Sequence, residues 1–336
     1  MLINSNEYLN LVQTIKQEIQ QAQYKATLSV NKELIMLYYS IGRIINEHKS
    51  WGSKFIENLA ADIRTSFPEA KGYSVRNLKY MAKLAATYPS EEFVQQAVAQ
   101  IPWGHTTVLL DKFSDDVIRN WYIEKTIENG WSRNVLIHQI ESGLYERQVI
   151  AEKVSNFENR LASPQSELAV QTMKDPYIFD FIPFREDMVE REIEQALVHD
   201  MTKLLLELGT GFAFLGNQYH LNVGGDDFYI DLLFYNLNLR CYVVIELKTG
   251  EFKPEYAGQL NFYLSAVDGI LKKEYDNPSI GLLLCKSKND LVAEYALKDM
   301  SKPIGVSEYK VTSSLPEDLS KQLPSIEDIQ KRIKGV

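Results

Sequence analysis

The segment from Gly224 to Tyr263, GGDDFYIDLLFYNLNLRCYVVIELKTGEFKPEYAGQLNFY, constrains this chain more than any other. It reads as strand, tight turn, strand, loop and helix. Phe228 to Tyr235 alternates, which sets Phe228, Ile230, Leu232 and Phe234 on one face and Tyr229, Asp231, Leu233 and Tyr235 on the other. Asn236-Leu237-Asn238-Leu239 fits a hairpin turn. Arg240 to Leu247 is almost continuously apolar, the pattern of a strand covered on both faces.

Into this apolar hairpin the sequence places Asp231, Glu246 and Lys248. The two-residue period of a strand puts Glu246 and Lys248 on the same face. A symmetric loop centred on Leu237-Asn238 pairs Asp231 with Val244, also on that face. Asp231 and Glu246 are then diagonal neighbours, roughly 7–8 Å apart, within converging reach of one ion. A slip of one residue would separate them onto opposite faces. Two carboxylates and an ammonium on a half-buried face are costly without compensation. A divalent cation supplies it, and Mg²⁺ is held by one or two carboxylates plus water and substrate phosphate. Such an ion polarises a phosphodiester and lowers the pKa of a bound water, while Lys248 orients that water or meets the developing phosphorane charge. The plainer alternative is a structural ion pair at a sheet end. The mid-strand position of both acids weighs against it.

Pro254 suits the first turn of a helix, and helical periodicity follows over Glu255 to Leu271, with Gln259 and Tyr263 on one face. The D-x14-E-x-K spacing followed by Q-x-x-x-Y resembles the PD-(D/E)xK nuclease superfamily. That resemblance implies that Asp231 and Glu246 are metal ligands together with the Leu247 carbonyl. It makes Lys248 the catalytic lysine, and it gives Gln259 and Tyr263 the task of orienting the site or the DNA backbone. It also implies an acid on the first helix of the domain. Glu194, in REIEQALVHDMTKLLLELG, is the best match, and Glu207 in the same predicted helix is the competitor. The implied cofactor is Mg²⁺, with Mn²⁺ as a substitute.

A chain of 336 residues suggests two domains. No apolar run reaches the roughly 18–20 residues of a membrane span, and the N-terminus lacks a basic region followed by an apolar one. Cys241 and Cys285 read as small core hydrophobes, so a reducing cytoplasm is expected. Residues 1–150 carry 16 basic and 16 acidic residues and the rest 20 and 29, so the net charge of −9 lies wholly in the second half. An acidic catalytic domain binds DNA poorly by itself, because phosphate neutralisation supplies most non-specific affinity. Recruitment by the N-terminal domain or by a protein partner is expected.

Residues 6–48 carry the stripes Leu9-Val12-Ile15-Ile19-Ala22 and Leu34-Leu37-Ile41-Ile44-Ile45, a helical scaffold with Gly42 as a close-packing point. Ser53 to Phe67 and Val75 to Thr87 form a helix pair with helix-turn-helix spacing and a somewhat long turn; Ser74 is the N-cap of the second helix. Arg76, Asn77, Lys79 and Lys83 decorate that helix. Arg and Asn there are the types that read base edges, and Lys meets phosphate. A bundle helix with a solvated basic face explains the same residues equally well. Helices follow at Glu91 to Gln100, Asp115 to Asn129 and Ser132 to Tyr145. The set WG, GYS-x-RNL, W-x-H, WYI and GWS is similar to the N-terminal domain of the YhcG-type family, in which an all-helical module precedes a PD-(D/E)xK domain.

The expected architecture is therefore α+β in two domains. An all-α, helix-turn-helix-like domain over 1–150 and a linker over 151–175 lead to a restriction-endonuclease-like α/β domain with a mixed sheet over 176–336. In the last, one helix over 186–208 precedes strand 212–223, the hairpin, the Gln259 helix, strand 279–285, helix 290–300 and strand 304–311. The tail from Leu315 reads as a short amphipathic helix. There is no Walker A sequence, no Gly-x-Gly-x-x-Gly fingerprint and no nucleophile elbow. Two functions fit. One is a metal-dependent DNA endonuclease; the other is a DNA-binding or assembly protein whose nuclease fold is weakly active or inactive. Two-fold pairing would suit the first, since cutting both strands wants two sites, although no interface is legible.

Overall fold

The computed structural model describes residues 5–48, 54–182 and 188–311. The chain divides into two compact units, Met1–Glu141 and Ser142–Val336. The amphipathic tail expected from Leu315, and Trp51-Gly52, lie outside the described residues.

The first unit is helical: Ser5–Glu47 (α1), Phe55–Ser66 (α2), Val75–Thr87 (α3), Glu91–Gln96 (α4), Trp103–Lys112 (α5), Asp116–Asn129 (α6) and Arg133–Glu141 (α7). Ser74 caps α3, its hydroxyl accepting from Asn77 N–H at 3.3 Å. Asp115 caps α6, and Gly130 ends it in the left-handed conformation. Gly42 is the close-packing point of α1: a Cβ there would lie 1.9 Å from the Met81 carbonyl oxygen of α3. Tyr38, Ile45, Leu78 and Met81 form the core around that crossing.

The second unit continues with Val154–Ser155 (β1), Phe157–Arg160 (α8), Gln165–Thr172 (α9), Tyr177–Ile178 (β2), Glu190–His199 (α10), Met201–Leu208 (α11), Phe212–Val223 (β3), Asp226–Asn236 (β4), Cys241–Glu251 (β5), Pro254–Ile270 (α12), Ile280–Ser287 (β6), Asp290–Lys298 (α13) and Ile304–Lys310 (β7). The sheet order is β1-β7-β6-β5-β4-β3, with β2 also on β7. β3, β4 and β5 are antiparallel, while β5, β6 and β7 run parallel. The sheet is mixed, as expected. β5 sits at its centre, and its alternate residues enter two cores. Val243, Ile245 and Leu247 join one with α10 and α11; Val244 joins the other with α12 and α13. Cys241 and Cys285 are buried and free.

Two elements differ from the sequence expectation. The helix expected over 186–208 is broken at Asp200 (φ −106°, ψ 47°) into α10 and α11. Residues 151–175, expected as a linker, are folded into the second unit. β1 adds to the sheet edge, and Phe157 and Met173 are fully buried against it. Gly305 makes room for both, because a Cβ there would lie 2.6 Å from Met173 Sδ. A few large side chains in a polar stretch are enough to anchor it when the sheet leaves a gap of matching shape.

Candidate active site

The β4–β5 ladder runs from Asn236↔Cys241 to Leu232↔Ile245. One step further that register sets Asp231 opposite Glu246, and there side chains replace the main-chain ladder. Asp231 N–H donates to Glu246 Oε1 at 3.3 Å, and Leu247 N–H donates to Asp231 Oδ2 at 2.9 Å. The expected pairing of Asp231 with Val244 is corrected, since Val244 pairs with Leu233. The cause lies in the turn. Asn236 stays in the ladder, and its Oδ1 accepts from Asn238 N–H and Leu239 N–H at 3.0 and 2.9 Å. Arg240 takes φ +52° and closes the loop one residue later than expected. The shift in pairing is even, so it brings the two acids closer without changing face.

The alternation of β4 also breaks at Asp231. Phe228 and Ile230 pack with Leu233 and Val244, whereas Leu232 and Phe234 pack in the opposite core. Asn217 pairs with Leu232 and Tyr219 with Ile230, but Gln218 and Asp231 between them stand out of the ladder. Gln218 adopts φ +43°, in the left-handed region that residues other than glycine rarely take. The opened ladder leaves Asp231 beside Glu246 and turns the Gln218 amide toward Glu194 and Asp231.

Glu246 and Lys248 are both buried. Lys248 Nζ lies 3.6 Å from Glu246 Oε2 and 3.3 Å from Glu190 Oε2. Burial, with the Asp231 charge beside it, pushes the Glu246 carboxyl up to about 8. Burial also raises Asp231. For Lys248, burial works to lower the pKa, but the Glu246, Glu190 and Asp231 carboxylates outweigh it and hold the ammonium above its ordinary value. The cation is therefore fixed at neutral pH, whereas burial holds both acids above their ordinary values.

α10 lays two acids on the site one turn apart. Glu190 reaches Lys248 and accepts from Thr249 N–H at 3.4 Å. Glu194 is buried and accepts from Asn217 Nδ2 at 2.8 Å and Gln218 Nε2 at 2.5 Å. The competitor Glu207 is elsewhere, on α11. It is buried with Arg147 Nη1 at 2.5 Å and Lys174 Nζ at 3.7 Å, and it accepts from Ile178 N–H. On α12, Gln259 Nε2 donates to the Tyr263 hydroxyl at 3.0 Å. Burial, with the Glu246 and Asp231 charges, raises that hydroxyl's pKa.

Glu190 and Gln218 were not singled out in the sequence. Glu190 carried a signal, its i,i+4 spacing from Glu194. Gln218 carried none, because its orientation follows from a backbone irregularity.

The groups that meet here, the Asp231 and Glu246 carboxylates, are oxygen donors and suit a hard cation, with the Leu247 carbonyl as the further oxygen expected from the sequence. One oxygen of each carboxylate is engaged by a main-chain N–H; the other oxygen of Asp231 accepts from Gln218 Nε2 at 3.3 Å and that of Glu246 faces Lys248 Nζ at 3.6 Å, so a cation would take the remaining lone pairs. Among the described residues no group of three or more His, Cys, Asp or Glu side chains is disposed to hold a metal. Mg²⁺ needs only one or two carboxylates, so the residues fit such an ion and do not form a full protein cage.

In the first unit, Val75, Arg76, Lys79, Tyr80 and Lys83 of α3 line an open groove of about 540 Å³. Arg76 lies 5.6 Å over the Tyr80 ring, and Lys83 pairs with Asp111 at 3.1 Å. Asn77 is not among the groove residues. Its Nδ2 donates to Gly72 O at 2.8 Å, and its Oδ1 accepts from Trp103 Nε1 at 3.2 Å. Both ends of its amide tie the turn and α5 to α3, a structural task beside the base-reading one expected of Asn77.

A family model described as the DUF1016 N-terminal domain matches residues 14–147, and one described as the YhcG PDDEXK nuclease domain matches residues 170–324. Residues 170–324 are a YhcG-type PDDEXK nuclease domain. It is 29% identical over 337 residues, 89% of this chain and 88% of the other, to the YhcG protein of Escherichia coli (strain K12), whose name proposes a nuclease. Parts of this YhcG-type nuclease also align with solved chains. One is a repair endonuclease from Pyrococcus abyssi, at TM-score 0.26 and 18% identity over 38% of this chain and 49% of that chain. Another is EndoMS in a complex with double-stranded DNA, at TM-score 0.26 and 19% identity over 40% and 49%. These partial likenesses, about half the length of each solved chain, carry no argument about substrate. No helix among the described residues is long and apolar enough to cross a membrane.

Proposed function

We propose that this nuclease is a divalent-metal-dependent DNA endonuclease that hydrolyses phosphodiester bonds and is recruited to DNA through its helical N-terminal unit. The observation that carries this reading is the crossed pair Asp231 and Glu246, opened out of the sheet beside a charged, buried Lys248. A Mg²⁺ or Mn²⁺ held by the two carboxylates and the Leu247 carbonyl would polarise the scissile phosphate and acidify a water. Lys248, kept protonated by its three acids, holds a positive charge where the phosphorane oxygens develop negative charge. Glu190 keeps the Lys248 ammonium in place. Glu194, through Gln218, bears on Asp231. Gln259 and Tyr263 orient the α12 side of the site toward the DNA backbone.

The acidic charge of the second half makes non-specific docking there weak. Arg76, Lys79 and Lys83 on the α3 groove supply phosphate contacts instead.

The test is a cleavage panel of plasmid, linear duplex, single-stranded and branched DNA in Mg²⁺ and in Mn²⁺, with Asp231→Ala and Lys248→Ala as controls. Metal-dependent cutting by the wild type alone is expected. Equal cutting by Asp231→Ala removes the assignment. A second reading, DNA binding by an inactive nuclease fold, is motivated by the acidic second half, which weighs against an avid nuclease, together with the basic α3 groove of the first unit; a gel shift without cutting in either metal would establish it.

A further inference from the structure

Gln218 is an exposed residue on β3 with an unfavourable backbone conformation, φ +43°, and no ladder partner on β4. Nothing in the packing of the core requires it. What the conformation achieves is the placement of one side-chain amide. Gln218 Nε2 donates to Glu194 Oε2 at 2.5 Å and to Asp231 Oδ1 at 3.3 Å. These two acids come from different elements, α10 and β4, and their charges oppose one another. The neighbouring Asn217 Nδ2 completes the hold on Glu194 at 2.8 Å. Asp231 is held on its other oxygen by Leu247 N–H. A strained backbone, two donors aimed at one buried acid, and a bridge to the proposed metal ligand are the marks of strain kept for a functional site.

We propose that Gln218 is a positioning residue of the nuclease site. Its amide locks Asp231 to the α10 acid Glu194, so that the Asp231 carboxylate is preset for metal. The inference rests on the proposed metal-dependent cleavage and deepens it. Gln218 touches neither the scissile phosphate nor the attacking water. It acts by satisfying one oxygen on each of two carboxylates with N–H donors, which holds the two side chains close together. Without the bridge, Asp231 keeps its Leu247 contact but swings about it, and Glu194 is left buried with Asn217 as its remaining described side-chain donor.

The test uses the full chain and two substitutions. Gln218→Met keeps the side-chain length and removes the donors. Gln218→Gly removes both the bridge and the backbone strain. Three quantities are read: kcat and KM on a DNA substrate in Mg²⁺, Mn²⁺ binding by electron paramagnetic resonance without DNA, and the melting temperature. Both variants are expected to lose at least tenfold in kcat with KM within twofold. Mn²⁺ binding should weaken severalfold, and Gln218→Gly should melt no lower than the wild type. A variant with kcat and Mn²⁺ affinity within twofold of wild type overturns the inference while leaving the cleavage reading intact. So does a loss of activity matched by a fall in melting temperature in both variants, because Gln218 would then be merely structural. Asp231→Ala separates the two ideas: if it cuts as well as the wild type, or the wild type neither binds Mn²⁺ nor cuts, the cleavage reading falls and the role of Gln218 falls with it.

Discussion

Asp231 and Glu246 face each other across the β4–β5 hairpin and exchange side-chain for main-chain hydrogen bonds: Asp231 N–H donates to Glu246 Oε1, and Leu247 N–H donates to Asp231 Oδ2. An antiparallel ladder would close at this point with main-chain bonds alone. Here it is held open by two carboxylates, so the acids sit between the strands and not merely on a face. Asp231→Ala and Glu246→Ala are each expected to lower kcat by at least about 10²-fold, the scale of removing one transition-state charge interaction. Both should remain folded, because each removes a member of a mutually repelling pair. Circular dichroism alongside a cleavage time course checks this; full activity in either variant contradicts it.

The raised Glu246 carboxyl makes metal-free stability depend on pH. Its folded pKa, about 8, lies above its unfolded value near 4.5, so the folded state binds more protons between those values. Stability therefore falls as pH rises through that window and levels off above it. Melting temperatures of chelator-treated protein from pH 5 to 9 should decline, and Glu246→Gln should flatten the decline. A divalent cation should oppose the decline at pH 8, because it compensates the ionised pair.

Glu190 sits 3.3 Å from Lys248 Nζ and on the Thr249 N–H, so it fixes where the ammonium points. Lys248→Ala should cost about 10²-fold or more in kcat. Glu190→Gln, which retains a hydrogen-bond acceptor but loses the charge, should cost less, about tenfold. An equal effect of both substitutions would mean that Glu190 itself contacts the reacting groups.

On α3, Arg76→Ala, Lys79→Ala and Lys83→Ala should each weaken DNA binding similarly for all sequences. Each should reduce the slope of log affinity against log salt by up to about 1, with Lys83 lowest because Asp111 already pairs with it. Asn77→Ala should instead destabilise the first unit by about 1–3 kcal/mol, since it orphans the Trp103 indole N–H. Salt-dependent gel shifts and thermal melts separate the two behaviours. A change of sequence preference in Asn77→Ala would support a base-reading role.

Glu207 is the counter-example among the helix acids. Its partners Arg147 and Lys174 are buried with it, and burial lowers the Lys174 amine to about 8. Glu207→Ala should cost about 3–5 kcal/mol of stability by leaving both cations uncompensated. Urea titration reads the loss, and the protein that remains folded should cut at the wild-type rate.

Much of this was legible in the chain itself. Glu246 and Lys248 share a face because a strand alternates strictly, and a run of apolar residues around them fixes which strand it is. The cap at Ser74 and the Pro254 helix start follow from local chemistry that needs no partner, whereas Gly42 marks a close approach whose partner, Met81 of α3, only the fold supplies. The order of elements from α10 to β7 followed from hydrophobic periodicity, and only the break at Asp200 was missed. Apart from one local turn, at Asn236, tertiary structure decided the rest. The hairpin register moved by two residues because the Asn236 side chain closes the loop and keeps Asn236 in the ladder. Residues 151–175 joined the sheet because Gly305 leaves a space that Phe157 and Met173 fill. Glu194, not Glu207, came to the site, because Arg147 and Lys174 draw Glu207 into a buried ion cluster. The Gln218 amide came to Glu194 and Asp231 because the β3–β4 ladder opens beside it. Sequence specifies what is local and periodic; which side chains meet across elements depends on gaps, irregular backbone and competing buried charges that exist only once the chain has folded.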